Sequence, residues 1–232
     1  MIKYTKLINL NNIELNPDRP PLGTVLWLHG LGADGHDFVP IASELNLPNN
    51  LPLRFIFPHA PLRPVTINNG YVMRAWFDIA SMPLAQQIDE EGIARSVTLL
   101  SQWIEEEIKH GISANKIILA GFSQGTVIAL HTGLRSPKRL AGILALSGAL
   151  PAAEKLLIEK NAANASIPIF MAHGMKDQVI PIMLGQASAE ILKKNRYPVT
   201  WRSYPMAHTV CKEEIQDVAA WLIDIFSNVH TK

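Results

Sequence analysis

Gly121-Phe122-Ser123-Gln124-Gly125 places a serine between two glycines in the pattern G-x-S-x-G. An apolar run, residues 116–120, leads into it, and Thr126-Val127-Ile128-Ala129-Leu130 continues with helical character. A strand that turns sharply into a helix lifts a serine hydroxyl above the sheet edge, and the glycines leave room for the turn. The helix N-terminus beneath the serine favours negative charge developing there. A serine is a weak nucleophile until a base takes its proton, and that base needs a carboxylate to hold it. In chains that present serine on such an elbow, the acid and then the histidine follow later in the sequence. Asp177 is the only aspartate between Ser123 and His208, and the only histidines beyond Asp177 are His208 and His230. His230 stands next to the C-terminus, where chains fray. Asp177 and His208 each follow an apolar run by a short turn, which puts both at the carboxyl ends of sheet strands. Glu154, Glu159 and Glu190 fall in helical patterns and read as solvated charges. The candidate constellation is therefore Ser123, Asp177 and His208; the bland alternative is a Gly-Ser turn on a core strand.

An attacked carbonyl also needs two N–H donors for its oxygen. Gln124, next to the serine, supplies one, and Leu31, in the turn His29-Gly30-Leu31-Gly32 after an early strand, supplies the other. The same turn contains a rival reading, because Gly30-Leu31-Gly32-Ala33-Asp34-Gly35 matches the dinucleotide pattern G-x-G-x-x-G. The strand after it lacks the acid that would hold a ribose, since no Asp or Glu appears between Asp37 and Asp78 apart from Glu44, ahead of that strand. Asp34, His36 and Asp37 cluster, but Asp-Gly is turn chemistry and Asp37 is placed to cap a helix beginning at Phe38. With no metal-ligand spacing anywhere, neither metal nor cofactor is expected. His29 and His173 are read as loop-orienting groups, Cys211 as a packed or half-exposed thiol, and Trp103 and Trp221 as core. Trp76 divides evenly between packing and walling a pocket, and Leu62, Met73 and Val179 join it as candidate acyl-contacting residues.

The elements that must position these residues alternate. Strands are predicted at residues 24–28, 53–57, 116–120, 142–146, 167–172 and 199–204. Helices are predicted near 38–45, 89–110, 124–134, 181–194 and 212–226. That rhythm implies an α/β chain with a mostly parallel sheet covered on both faces. Residues 58–75, rich in Pro, Asn and Gly, read as a long ordered loop, and the first 20 residues or so as an extension or edge strand. One domain spanning residues 1–232 is expected.

The chain has 232 residues, 21 Lys plus Arg against 20 Asp plus Glu, and 48% hydrophobic residues. A net charge of +1 provides no field for nucleic acid or an anionic membrane. The uncharged stretches 117–134 and 140–153 are too polar or too short for a spanning helix. One cysteine excludes an internal disulfide, and the first residues lack the apolar region of a secretion signal, so a cytoplasmic location is expected.

Together these residues resemble the α/β-hydrolases of the carboxylesterase, acyl-protein thioesterase and lysophospholipase family. The resemblance is carried by residues 28–33, 58–66, Trp76-Phe77-Asp78, residues 120–125, His173-Gly174 with Asp177, and residues 205–208. It implies a Ser-His-Asp esterase without cofactor, often dimeric, acting on short to medium acyl esters or thioesters of small molecules, lipids or acylated proteins. Two positions depart from the family pattern. Thr126 stands where a second glycine is usual, and Met73-Arg74-Ala75-Trp76 replaces Met-Pro-Ser-Trp. Only about twenty residues separate the strand ending near 146 from the next, too few for a large lid. A binding module that kept the fold and lost the chemistry would lack one member of the constellation, and none is missing.

Overall fold

In the computed structural model, which describes residues 2–81 and 88–229, strand and helix alternate as the apolar runs require. His230, considered above as a candidate base, lies outside the described residues. The strands are β1 (Tyr4–Ile8), β2 (Asn12–Pro17), β3 (Gly23–Leu28), β4 (Leu53–Pro58), β5 (Leu62–Val65), β6 (Tyr71–Arg74), β7 (Ile117–Phe122), β8 (Gly142–Leu146), β9 (Ile169–Gly174) and β10 (Val199–Tyr204). The helices are α1 (Ile41–Glu44), α2 (Glu90–Lys109), α3 (Gln124–Arg135), α4 (Ala153–Glu159), α5 (Ile182–Lys194) and α6 (Lys212–Val229).

Eight strands form one sheet in the order β1-β2-β4-β3-β7-β8-β9-β10. The pairs β1–β2 and β2–β4 are antiparallel, and the others are parallel. The central strands are apolar without alternation because both faces are covered. Leu26, Leu28 and Leu119 point to the side packed by α2, α3 and α5, while Val25, Trp27 and Ile118 point to the side packed by α1 and α6. The architecture is the α/β-hydrolase fold. Residues 147–168, between β8 and β9, hold only α4 and a single 3-10 turn, so no large lid is built there.

Three expectations change. Residues 58–75 are not an irregular loop: β5 and β6 form an antiparallel hairpin, Leu62 pairing with Arg74 and Val65 with Tyr71. Its turn closes through Asn69 and Gly70, both at positive φ, and Pro64 is tolerated because the strand is an edge. The N-terminal segment is two strands rather than one, and β2 docks on β4. Asp37 caps nothing; its N–H bonds the Asp34 carbonyl at 3.2 Å, and α1 starts only at Ile41. Pro40 explains the delay, since proline disfavours helical backbone in the residue before it. The long helix meets its prediction: Asp89 caps α2 by accepting the Gly92 N–H at 2.8 Å, and Gly111 ends it at φ +92°.

Candidate active site

Ser123 joins β7 to α3 at φ 54° and ψ −116°, a conformation non-glycine residues rarely adopt. The glycines make it sterically feasible. A Cβ on Gly121 would lie 2.3 Å from the Gly125 carbonyl carbon, and one on Gly125 would lie 2.4 Å from the Leu28 carbonyl oxygen. The elbow is pinned to the neighbouring strand by the Ser123 N–H, which donates to the Leu146 carbonyl at 2.9 Å.

The structure brings Ser123, His208 and Asp177 together. His208 Nε2 is 2.9 Å from Ser123 Oγ, and His208 Nδ1 is 2.7 Å from Asp177 Oδ2. With Nδ1–H donating to the carboxylate, Nε2 is left to accept the serine proton. The Asp177 carboxylate is buried and fully engaged: Oδ1 accepts the N–H groups of Val179 at 2.9 Å and Ile180 at 2.8 Å. His173 Nε2 stands 3.3 Å from Oδ2 and donates to the Ile180 carbonyl at 2.7 Å. Burial holds the His173 pKa below the ordinary imidazole value, so this ring braces the loop as a neutral donor. Phe122 packs against the His208 ring with centroids 4.8 Å apart. The competing acids are peripheral: Glu159 pairs with Arg135, Glu190 pairs with Lys193, and Glu154 is exposed.

The Leu31 turn adjoins the serine, since a Cβ on Gly30 would lie 3.4 Å from Ser123 Cβ. Neither the Leu31 N–H nor the Gln124 N–H has a backbone acceptor among the described residues. Next to Leu31, Gly32 donates to the Arg74 carbonyl at 2.9 Å, which ties the turn to β6. His29 fixes the other end. Its Nδ1–H donates to the Gly30 carbonyl at 2.7 Å, and its Nε2 accepts the Ala60 N–H at 3.0 Å. Burial lowers its pKa to about 4, so it is a neutral structural group. The dinucleotide reading fails here, because turns rather than a helix follow Gly35. Among the described residues, no group of three or more His, Cys, Asp or Glu is arranged to hold a metal ion.

The four acyl-pocket candidates occupy different environments. Leu62 is 65% exposed on the hairpin, and Val179 is 51% exposed beside Asp177. Met73 is partly buried, with Sδ 3.6 Å from where a Cβ on Gly32 would sit. Trp76 is only 2% exposed, and its indole N–H donates to the His29 carbonyl at 2.9 Å. Of its two readings, packing is the one this structure displays. Cys211 is a half-buried thiol, while Trp103 and Trp221 pack partly exposed against the core.

One functional side chain escaped the sequence reading. The Gln124 amide is buried, accepting the Trp76 N–H at 2.8 Å and donating to the Phe77 carbonyl at 2.7 Å. It thereby joins the elbow to the segment after β6. A polar side chain beside the serine was the only available signal, and its partners lie more than forty residues away.

The phospholipase/carboxylesterase family model matches residues 11–225. The chain belongs to the phospholipase/carboxylesterase family. This member of the family is 40% identical to acyl-protein thioesterase 1 of Yarrowia lipolytica over 206 residues, covering 86% of this chain and 90% of that protein. It is also 40% identical to acyl-protein thioesterase 1 of Schizosaccharomyces pombe over 186 residues, covering 80% and 82%. Among solved structures, the Zea mays acyl-protein thioesterase 2 superposes with a TM-score of 0.83 at 30% identity, covering 93% of this chain and 98% of that one.

Proposed function

We propose that the chain is a serine hydrolase, acting as a single domain, that cleaves carboxylic esters or thioesters of short to medium acyl chains. The observation that carries this is the unbroken relay from Asp177 Oδ2 through His208 to Ser123 Oγ, at 2.7 and 2.9 Å, on a positive-φ elbow. His208 takes the Ser123 proton as Oγ attacks the acyl carbon. The N–H groups of Leu31 and Gln124 receive the charge on the carbonyl oxygen, and Asp177 orients and stabilises the imidazolium. The imidazolium then gives its proton to the departing alkoxide or thiolate, leaving the acyl group on Ser123. Water, deprotonated by the same imidazole, attacks that ester and releases the acid. No metal or cofactor takes part.

Met73 and Val179 are proposed to contact the acyl chain beside Ser123, Leu62, on the other face of the hairpin from Met73, to meet only its outer part, and Trp76 to give packed support. The segment between β8 and β9 is too short to build a large lid over the site, which suits acyl groups on bulky carriers. The acyl-protein thioesterases among the relatives favour a protein thioester, with a lysophospholipid as the lipid counterpart. A cytoplasmic location and a homodimer fit the same reading. No helix among the described residues is long and apolar enough to cross a membrane.

The test is hydrolysis of p-nitrophenyl esters from acetate to palmitate, with one acyl thioester, by wild type and Ser123→Ala. Turnover confined to wild type, with fluorophosphonate labelling lost in the variant, is the expected result. A Ser123→Ala protein as active as wild type would refute the proposal.

A further inference from the structure

The hairpin that carries Met73 also carries a cation, Arg74, that has no anion among the described residues. Side chains alternate faces along a strand, so Met73 and Arg74 look to opposite sides of β6. Arg74 is half-buried and donates from Nη1 to the Ala60 carbonyl at 2.8 Å. Among the described residues it forms no ion pair with any Asp or Glu. A guanidinium has five N–H donors, and a partly desolvated charge lacking a counterion is costly. Every other half-buried arginine with comparable cover, Arg54, Arg63 and Arg135 among them, has a carboxylate.

Arg74 lines a groove of about 620 Å³ between residues 59–61 and one face of α2, a volume within the range of small-molecule sites. The α2 face contributes Leu99, Gln102, Trp103 and Glu106, at the spacing that aligns side chains along a helix. Leu99 and Trp103 are partly exposed there and make an apolar wall. Glu106 does not serve Arg74, since its carboxylate pairs with Lys109 at 2.8 Å. His59, on the opposite side, accepts the Gly35 N–H on Nδ1 at 3.0 Å, which leaves Nε2–H as a donor.

We propose that this groove is an anion-binding site, separate from Ser123, for a phosphate monoester or carboxylate bearing a short apolar tail. The Arg74 guanidinium takes the anion, and Leu99 and Trp103 take the tail. A consequence rests on the hydrolase reading above. The Arg74 carbonyl accepts the Gly32 N–H, one residue from Leu31, so an anion held by Arg74 bears on the turn that receives the substrate oxygen.

Calorimetric titration with hexyl phosphate and with inorganic phosphate tests this. Hexyl phosphate is expected to bind wild type one to one, about tenfold tighter than inorganic phosphate. Affinity should fall about tenfold or more in Arg74→Gln, and at least fivefold in Gln102→Glu, an exposed position where folding is not at stake. Binding should survive when Ser123 is blocked by a fluorophosphonate. Affinity unchanged in both variants, no binding of either anion, or loss of binding on blocking Ser123 would overturn the site; equal affinity for the two anions would overturn the tail contact. A wild type that binds hexyl phosphate yet hydrolyses no ester would sink the hydrolase proposal and leave this site standing.

Discussion

Thr126 fills the space that Gly148 leaves empty. A Cβ on Gly148 would lie 2.4 Å from Thr126 Cβ and 2.9 Å from the Ser123 carbonyl oxygen. The Thr126 hydroxyl is 2.8 Å from both the Gly121 and the Leu146 carbonyls, so it ties the end of β7 to the end of β8 directly under the elbow. The Thr126 side chain is thus accommodated by the glycine two residues beyond β8 and serves as a brace. Gly148→Ala should overpack this contact and cost about 1–3 kcal/mol of stability, with a lower kcat. Thr126→Gly loses the brace on its own account, but the double variant should lose less than the sum of the two single variants, because it relieves the Cβ–Cβ clash. Denaturant melts and ester hydrolysis of the two single variants and the double variant measure the coupling, and strictly additive losses would contradict the contact.

Asp177→Asn tests the relay through its hydrogen-bond polarity. The Val179 and Ile180 N–H groups both point at Oδ1, so the asparagine oxygen must stay there and its NH₂ must face His208. His208 Nδ1 then becomes the acceptor, and Nε2 carries the proton and no longer receives one from Ser123. In the proposed mechanism kcat/KM falls by about 10⁴ with the fold intact, as for the same change in other Ser-His-Asp enzymes. Steady-state kinetics beside a circular dichroism spectrum decides it.

The strands that position this relay were legible because they are buried on both faces. β3, β4, β7, β8 and β9 are largely apolar runs, whereas β10 is an edge strand with Arg202 and Ser203 exposed, and the predicted limits of all six hold to within two residues. The relay itself was legible because chain order and a scarcity of Asp and His left few choices. The β5–β6 hairpin was not read, since it pairs only with itself and exposes Leu62, Tyr71 and Val72, leaving no core-facing alternation. Its one local signal was Asn68-Asn69-Gly70, a sequence suited to left-handed turn residues. The first 20 residues were read no further than an extension or edge strand for a similar reason: four of the five residues of β1, the edge strand, are exposed. The brace by Thr126, the bridge by Gln124 and the bond from Arg74 to the Ala60 carbonyl all depend on contacts between separate segments, which periodicity does not encode.

Gln124→Glu keeps the shape of the amide and removes its donor. Oε1 can still accept the Trp76 N–H, but the second oxygen would face the Phe77 carbonyl, acceptor against acceptor, in a buried setting. The variant should lose about 2 kcal/mol or more at neutral pH and regain part of it in acid, where a protonated carboxyl can donate to Phe77. Denaturant unfolding at pH 5 and pH 8 checks this, and equal losses at both would argue against the bridge.

Glu214, in the first turn of α6, makes the opposite prediction for a native carboxyl. It is fully buried, and burial raises its pKa to about 8 against a smaller opposing pull from the Cys211 backbone. The folded protein therefore holds this proton over a range in which the unfolded chain, near the ordinary glutamate value, has released it. Between those two values the native state binds more protons than the unfolded state, so stability falls as pH rises from about 4.5 towards about 8 and levels off beyond. Glu214→Gln has no proton to lose and should be spared that decline. It should match wild type near pH 4.5 and exceed it at pH 8 by on the order of 4 kcal/mol. Urea unfolding of both proteins across that range provides the comparison. Curves that stay parallel with pH would show that Glu214 ionises as readily folded as unfolded.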